Sequence, residues 1–368
     1  MSPLHQLALT LLPGIGPVHA RILLEHYGSE EAVFNESEKD LIQIPGIGTR
    51  LARSFKAAFR KDALRRAEAE LNYMEKYGVQ RLFYYDSNYP DRLKQCYDAP
   101  LVLFHRGNAE LDHPRVLSIV GSRRATRYGK RVCEFLIEQL APYRPLIVSG
   151  LAYGIDVTAH QAALKYGLPT VAVLGHGLNH MYPAAHAGIS RSIRSQGGLL
   201  SEFMHDCPPA PGNFPKRNRI IAGLSDATLV VEATEKGGAL ITAGIASGYD
   251  REVFALPGRL SDENAAGCLA LIKNQQAQLV TAGADVAHYL NWQEDFKKDS
   301  HPTVPAIKNE NERKILKVLK QIDHISVDEL VNKTGIPRNI LLSSLLSLEI
   351  AGYVENVSGF GYKYSKML

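Results

Sequence analysis

The hydrophobic pattern in the middle of the chain switches repeatedly between two periods. Short apolar runs at 116–120, 146–149 and 170–174 are separated by two segments in which apolar residues follow helical spacing. This alternation is typical of buried parallel strands joined by crossover helices. A glycine ends each run: Gly121, Gly150 and Gly175. The pattern predicts a doubly wound parallel α/β sheet whose carboxyl edge binds a ligand close to the main chain.

Flanking segments extend this sheet in both directions. A charged amphipathic helix is predicted over 61–77, with Gly78 able to end it, and two strand-like segments follow it at 81–85 and 101–105. Buried parallel strands are predicted in TLVVEA and VFALPG, which also lead into glycine-containing loops. We therefore predict one extended sheet domain over 63–290, led by a linker helix.

The first 62 residues contain an internal repeat. LPGIGPVHAR and IPGIGTRLAR align at an offset of 32 residues, and Pro17 and Thr49 suit the first positions of helices. Each copy resembles a helix-hairpin-helix unit, in which hairpin amides hold a nucleic-acid phosphate without reading bases. A small helical bundle that uses its glycines only for tight turns is an equal alternative.

The tail over 310–368 combines three helical segments with a hairpin-like YVENVSGFGYKYS. Three helices and a β-wing form a winged helix. Its eight basic and seven acidic residues, and a third helix rich in leucine, favour a protein-protein or regulatory role over direct DNA contact. Prolines and polar residues over 291–309 predict a linker before it.

The amino-acid composition indicates in which compartment the protein is located. With 45% hydrophobic and 22% charged residues, and without an apolar run of about 18 residues, the chain is that of a soluble globular protein without a membrane partner. The N-terminus carries no signal-peptide pattern. Four widely spaced cysteines suggest reduced thiols. We expect a cytoplasmic protein.

The net charge of +4 is modest, but basic residues concentrate at two predicted helix starts. Five of the nine residues over 123–131 are basic, and a second group follows Phe214 and Pro215. Phosphate is the natural ligand where arginines meet main-chain amides, and Gly121 and Ser122 are expected to expose such amides. Two separate phosphate sites at one sheet edge suit a chain of phosphates better than a single nucleotide.

Common enzyme signatures are missing from the chain. The spacing after Gly121 does not match a Walker A loop, and no G-x-G-x-x-G or G-x-S-x-G segment follows a predicted strand. His176 and His180 have no third ligand at metal-binding spacing. Asp156 and His160, four residues apart on a predicted helix, are best explained as a cap and a solvated or packed face. We expect no catalytic residues, no metal and no cofactor.

Several ordered segments carry a family resemblance. GSRRATRYG, SGLAYGIDVTAH, TVAVLGHGLNHMYP, GGLLSEF, FPKRNRIIAGLS and VFALPG follow one another between residues 121 and 258. Together with YPDRL and DAPLVLFHRG upstream, they resemble the DNA-processing protein A (DprA, also Smf) family over roughly residues 80–290. Helical N-terminal and winged-helix C-terminal domains are common accessories of that family.

The resemblance implies an extended Rossmann-like domain that binds single-stranded DNA and, in naturally transformable bacteria, helps to load the RecA recombinase onto incoming strands. It also implies a homodimer, and the apolar residues over 267–280, at helical spacing, are a candidate dimer surface; the alternative is an ordinary amphipathic core helix. The implied DNA-binding residues are Gly121, Ser122, Arg123, Gly150, Phe214, Lys216, Arg217, Asn218, Arg219, Gly237 and Gly238. Arg219 can instead pair with Glu202 or Glu232.

One departure from the family pattern concerns the loop before the last crossover helix. Where the family commonly has serine-glycine-serine, this chain has Gly237, Gly238 and Ala239, so hydroxyl contacts to phosphate are lost there and only backbone amides persist. The alternative of a different class is a nucleotide phosphoribohydrolase of the lysine-decarboxylase-like fold. EKGGALIT lacks the second half of the loop signature that such an enzyme needs.

Overall fold

The structure is a computed structural model that describes residues 2–293, 309–322, 324–350, 353–357 and 361–365. The chain forms two compact units, Met1–Asp295 and Phe296–Leu368. Most of the predicted linker, residues 294–308, lies outside the described residues. In the part of the chain that is described, no helix is long and apolar enough to cross a membrane.

The N-terminal segment folds into helices, as the repeat predicts. They are α1 (Pro3–Leu11), α2 (Pro17–Tyr27), α3 (Glu30–Asn35), α4 (Glu38–Ile42), α5 (Thr49–Ala52) and α6 (Ala57–Tyr77). Helices α2 and α5 begin at the predicted residues, and each follows a hairpin glycine with positive φ, Gly14 at 76° and Gly46 at 89°. Helix α6 begins four residues before its predicted start and ends at left-handed Gly78, as expected.

The central segment contains one sheet, which has nine strands within the described residues. They are β1 (Gln80–Phe83), β2 (Val102–Gly107), β3 (Val116–Val120), β4 (Leu146–Ser149), β5 (Thr170–Val173), β6 (Gly198–Ser201), β7 (Ala227–Val230), β8 (Glu252–Ala255) and β9 (Gln278–Leu279). Their order is β1-β2-β6-β5-β4-β3-β7-β8-β9. Strands β3 to β9 pair in parallel, whereas β1 and β2 form an antiparallel edge. The predicted extended parallel sheet is confirmed, and β6 and β9 are strands that the apolar pattern did not predict.

Helices cover both faces of this sheet. They are α7 (Asp91–Lys94), α8 (Arg127–Leu140), α9 (Ile155–Lys165), α10 (Ala187–Gln196), α11 (Asn213–Gly223), α12 (Gly238–Gly248), α13 (Ala266–Lys273) and α14 (Gly283–Tyr289). One apolar core includes Leu136 of α8, Ala159 of α9 and Leu117 of β3. A second core includes Ile220 of α11 and Ala243 of α12. Because helices pack on both faces of the sheet, side chains on both sides of the parallel strands are buried. This explains why the sequences of these strands are continuous apolar runs.

The candidate dimer surface over 267–280 is not a continuous exposed face. Leu271, which sequence spacing placed on that surface, is only 8% exposed and belongs to the same core as Ile220 of α11. Cys268 is fully buried beside it. At Leu271 the alternative of an ordinary core helix therefore fits the structure, and a glutamate there is no test of the dimer, because helical spacing alone cannot distinguish a core face from an outer face.

The second unit consists of α15 (Glu310–Leu319), α16 (Val327–Thr334), α17 (Arg338–Ile350), β10 (Val354–Val357) and β11 (Gly361–Tyr364). The two strands pair antiparallel, and Ile325 bridges to Tyr362. Ser326 and Glu329 form a capping box at the start of α16. The predicted winged helix, with three helices and a wing, is confirmed.

Candidate nucleic-acid interface

Helix α11 builds the floor of a cleft at the carboxyl edge of the sheet. The space next to Gly150, at the end of β4, is filled by the guanidinium of Arg217, and the ring of Phe214 packs against Gly175 after β5. A side-chain Cβ at either glycine would overlap these groups. The two strand-end glycines therefore admit side chains of α11, and the prediction that Gly150 leaves its backbone open to a ligand is wrong.

The cleft has a volume of about 660 Å³. Loop residues after β3, the first turns of α11 and α12, and the loop that ends at Pro183 surround it. Its lining includes eight of the predicted DNA-binding residues: Gly121, Ser122, Arg123, Phe214, Arg217, Asn218, Gly237 and Gly238. Residues more than 110 positions apart in the chain thus meet at one edge, as the topology of parallel strands requires.

An exposed cation and two aromatic rings meet at the mouth of this cleft. The Arg123 guanidinium carbon lies 5.7 Å from the centroid of the Phe214 ring. The Tyr182 ring is 47% exposed, and its centroid lies 5.6 Å from that of Phe214. An arginine at this distance from an aromatic face is favourably placed. The group offers a positive charge and flat apolar faces to solvent at the same point.

His176 fixes the loop that carries Tyr182. This buried imidazole accepts a hydrogen bond at Nε2 from the Tyr182 amide at 3.3 Å, and its Nδ1 proton is donated to the Gly177 carbonyl at 3.0 Å. Burial lowers the pKa of His176, so both bonds are made by the neutral ring. Its role is to hold the aromatic residue in place.

Arg217 places a second positive charge deep in the cleft. Its side chain is 4% exposed and donates to the Val173 carbonyl, while its Nε has no hydrogen-bond partner within the described residues. Burial lowers the pKa of Arg217 to about 10, so it remains charged at neutral pH. Arg217 was predicted as a DNA-binding residue, and its burial is a feature that the sequence did not indicate.

Asp156 is the negative group nearest to this buried charge. It lies in the first turn of α9 and accepts a hydrogen bond from the Ala152 amide at 3.3 Å, and the Gly150 amide also donates to it. Burial raises the pKa of Asp156, while the charge of Arg217 and these amides oppose the rise. The prediction that Asp156 caps the helix is wrong, because Gly154 is the N-cap residue and no side chain makes a cap hydrogen bond there. The Asp156 carboxylate instead bonds to amides of the loop before α9, lines the cleft and partly balances Arg217.

Most of the predicted backbone donors already have partners. The Ser122 amide donates to the Glu232 carbonyl at 2.7 Å and the Gly237 amide to the Thr234 carbonyl at 3.0 Å. The prediction that Ser122 exposes a free amide is therefore wrong. The first turn of α12, which starts at Gly238, does face the cleft. Helix starts attract anions, so this end of α12 adds to the positive potential.

Three predicted residues lie outside the cleft lining. Gly150 lies beneath Arg217, and Lys216 is exposed on the outer side of α11. Arg219 donates to the Asp98 carbonyl and forms an ion pair with Glu202. This pairing with Glu202 is the alternative that the sequence suggested, and it engages the arginine in holding α11 against its neighbours.

Arg124 and Tyr182 line the cleft and were not among the predicted site residues. Arg124 belongs to the basic cluster over 123–131 and is exposed, which is a signal that the sequence did contain. Tyr182 follows the third parallel strand by nine residues. Because that strand ends at the same edge as the others, an aromatic residue in the loop after it was a signal for the site that the sequence contained.

A doubly wound sheet with a basic and aromatic cleft at its carboxyl edge defines a Rossmann-like protein with a candidate anion-binding site. The model of the family DNA recombination-mediator protein A matches residues 80–291, and models of a SAM-like helix-hairpin-helix tandem and of the DprA winged helix domain match residues 7–61 and 299–359. The chain belongs to the DNA recombination-mediator protein A (DprA/Smf) family.

Relatives and solved structures agree with this assignment. Protein Smf of Escherichia coli is 38% identical over 88% of this chain and 86% of its own length, and DNA processing protein DprA of Streptococcus pneumoniae is 43% identical over 55% and 71%. The crystal structure of the S. pneumoniae protein covers 80% of this chain and 99% of its own, at 33% identity and a TM-score of 0.67. A structure of DNA processing protein A from Helicobacter pylori, described for its single-stranded DNA binding mode, covers 59% and 98%, at 30% identity and a TM-score of 0.54.

Proposed function

We propose that this protein binds single-stranded DNA in the cleft at the carboxyl edge of its sheet. The observation that carries the proposal is the position of Arg123 beside the Phe214 ring, above the buried charge of Arg217. Phosphate groups meet Arg123 and the first turn of α12. Bases stack on Phe214 and Tyr182, which offer flat faces to any base.

Binding of this kind does not depend on base sequence. Arginine and amide contacts to phosphate position the strand but do not identify its bases. Aromatic stacking contributes about 1–3 kcal/mol per base and accepts all four bases. Lys216, exposed near the start of α11 and outside the cleft lining, adds a contact to a phosphate farther along the strand. Affinity is therefore strongly dependent on salt.

The relatives support a role in DNA processing. The proteins from S. pneumoniae and H. pylori carry that name, and the latter is described as binding single-stranded DNA. We infer that this chain works on single strands in the cytoplasm during transformation and recombination, and that it helps to load the RecA recombinase. In this role the cleft holds and protects a strand and catalyses no bond breakage.

The division of labour along the chain is part of the proposal. Residues 63–290 form the strand-binding domain, and the helices over 1–62 and the winged helix over 310–368 are accessories. Neither accessory carries a charge excess comparable to the basic cluster at 123–131. Residues 291–309 connect the winged helix to the rest.

A titration against single-stranded and duplex DNA at two salt concentrations tests the function. We expect tighter binding to the single strand, because a stacked duplex hides its bases from Phe214 and Tyr182. We also expect a marked loss of affinity at the higher salt concentration. Equal affinity for both forms would argue against stacking in the cleft. Release of free base from nucleoside monophosphates would instead favour a phosphoribohydrolase.

We also propose a homodimer through the β9 edge of the sheet. Leu279 on β9 is 46% exposed and replaces Leu271 as the residue to test. An edge strand with an exposed apolar side chain is a surface that natural proteins usually cover. Light scattering at micromolar concentration should give the mass of two chains, and Leu279→Glu should give the mass of one. A single-chain mass for the parent protein would refute the dimer.

A further inference from the structure

A second cluster of positive charge lies away from the cleft. It lies at the end of α6, where Lys76 and Arg106 are next to the Tyr77 ring and Arg191 and Arg194 are close to Arg106. We call these four residues the rear basic patch: Lys76, Arg106, Arg191 and Arg194. The Lys76 ammonium lies 5.3 Å, and the Arg106 guanidinium carbon 5.5 Å, from the centroid of the Tyr77 ring. The ring itself remains 40% exposed. The patch thus repeats the combination of cations and an exposed aromatic ring found in the cleft.

Three different elements bring these residues together. Arg106 is the penultimate residue of β2 and pairs with Leu199 of β6. Arg191 and Arg194 are three residues apart on α10, which packs against β2, and this spacing places them on one face of the helix. The sheet and two helices therefore hold the patch.

Acidic side chains of the described residues do not neutralise the arginines of this patch. Arg194 is half-buried, and burial followed by the neighbouring charges of Arg106 and Arg191 lowers its pKa. In the described segments, none of the three arginines has a carboxylate at ion-pair distance. Like charges held close together cost free energy, and an anion bound between them would remove that cost.

The rear basic patch lies towards the opposite edge of the sheet from the cleft. Arg106 pairs near the amino end of β6, whereas the cleft is formed where the parallel strands end. Four residues of parallel strand span about 13 Å, and strands β5 and β4 lie between β6 and β3. A mononucleotide therefore cannot reach both places, but a longer strand can.

We propose that the rear basic patch is a second contact site for the sugar-phosphate backbone of a single DNA strand that already occupies the cleft. The inference rests on the proposed function, and it adds a route by which a longer strand continues across the molecule. Phosphates meet Arg106, Arg191 and Arg194, and a base stacks on Tyr77. An acidic protein segment would use the same charges, but it would gain little from the exposed aromatic ring.

The test compares a short and a long strand on the full-length protein. Oligothymidylates of about 5 and about 30 nucleotides are titrated by fluorescence anisotropy at several salt concentrations. Arg191→Ala combined with Arg194→Ala should leave binding of the short strand unchanged and weaken binding of the long one. For the long strand the log-log salt slope should fall by about 1.4, because each lost contact to a single strand removes about 0.7.

Matched variants separate charge from folding and stacking. Arg65→Ala with Lys165→Ala removes the same charge from residues that are paired elsewhere, with Asp62 and Glu134, and should change neither affinity. Arg191→Lys combined with Arg194→Lys keeps both positive charges. For the long strand, this variant should retain the parent's log-log dependence of affinity on salt. Tyr77→Phe should bind the long strand like the parent, whereas Tyr77→Ala should bind it more weakly.

Several results would overturn the inference. If the double alanine variant binds the long strand as tightly as the parent does, the rear basic patch is not a second DNA contact site. Because the parent still binds DNA in that case, the proposed function is not affected. An equal loss for both strand lengths means that the residues act through the cleft or the fold. Binding of labelled polyglutamate by the parent but not by the variant, with long-strand affinity unchanged, identifies an acidic protein partner instead. A parent protein that binds neither strand refutes the proposed function as well.

Discussion

Arg217 and Arg123 line the same cleft but differ in how they are held. Arg217 is 4% exposed and bonded to the Val173 carbonyl, whereas Arg123 is exposed and contacts the Phe214 ring. The first arginine is therefore part of the fold as well as of the site. The second can be removed without disturbing the core.

Replacing these two arginines should separate folding from binding. Arg217→Ala is expected to lower the free energy of unfolding by about 2 kcal/mol, because the buried Val173 carbonyl loses this donor and the positive charge that favours the ionised form of Asp156 is removed. Arg123→Ala should change it by less than about 0.5 kcal/mol. Urea unfolding followed by circular dichroism measures both. Similar stability of the two variants would contradict the assigned burial of Arg217.

His160 makes the free energy of unfolding depend on pH. Its Nδ1 proton is donated to the Thr170 hydroxyl at 2.7 Å, since that hydroxyl donates to the Ile147 carbonyl, and its buried Nε2 has no partner in the described part of the chain. Burial lowers the pKa of His160 to about 3. The fold therefore prefers the neutral ring, while the unfolded chain takes up a proton below about pH 6.5.

The sign of this pH effect follows directly. Stability from the neutral His160 is complete above about pH 6.5 and is lost as pH falls, by about 1.4 kcal/mol per pH unit. His160→Met should lose less stability than the parent between about pH 7 and about pH 5. Buried carboxyl groups with raised pKa, such as Asp156, act in the opposite direction but equally in both proteins. Parallel stability curves for the two proteins would refute the neutral buried ring.

At the scale of elements, α11 links the sheet to the cleft. Its residues Phe214 and Arg217 reach the ends of β5 and β4, and the glycines there are small enough to admit them. This arrangement explains why strand-end glycines occur at these two positions. It also makes the geometry of the cleft sensitive to a single methyl group.

A glycine substitution tests this link. Gly150→Ala should cost about 2 kcal/mol of stability, because the new methyl displaces the Arg217 guanidinium from the Val173 carbonyl. It should also weaken binding to single-stranded DNA. The control is Gly244→Ala on α12, where a Cβ meets nothing within 4 Å. This variant should gain up to about 1 kcal/mol and bind normally. Normal binding by Gly150→Ala would show that Arg217 is not part of the site.

Sequence periodicity was sufficient for most elements but not for side-chain surroundings. The runs at 116–120 and 146–149 became β3 and β4 with identical bounds, because fully buried parallel strands carry an uninterrupted apolar signal. Strand β6 begins at Gly198, directly after Gly197, and has only two apolar residues, whereas β9 consists of two exposed residues, so neither carries that signal. Burial of Arg217 and Leu271 depends on contacts distant in the chain, which no local pattern contains.

At the scale of the whole molecule, the cleft belongs to the first compact unit, Met1–Asp295. The winged helix forms the second unit with a core of its own, which includes Ile315, Leu330 and Leu345. Its basic and acidic residues nearly balance, in contrast to the cluster at 123–131. We therefore expect affinity for single strands to reside in the first unit.

Removal of residues 310–368 tests this division. The truncated chain should keep its affinity for single-stranded DNA within a few-fold, and its stimulation of RecA-dependent strand exchange should also persist. Anisotropy titration and a strand-exchange assay measure the two properties. Loss of all DNA binding on truncation would mean that the site has been placed in the wrong unit.

The salt dependence of single-strand binding tests the central claim most directly. Arg123→Ala combined with Lys216→Ala should lower the log-log slope of affinity against salt by about 1.4, because two phosphate contacts are lost. The loss should be the same for every base sequence. Arg65→Ala with Lys165→Ala serves as the control of equal charge and should keep the parent's slope. A folded Arg123→Ala, Lys216→Ala variant that retains the parent's affinity and slope would contradict DNA binding at the cleft.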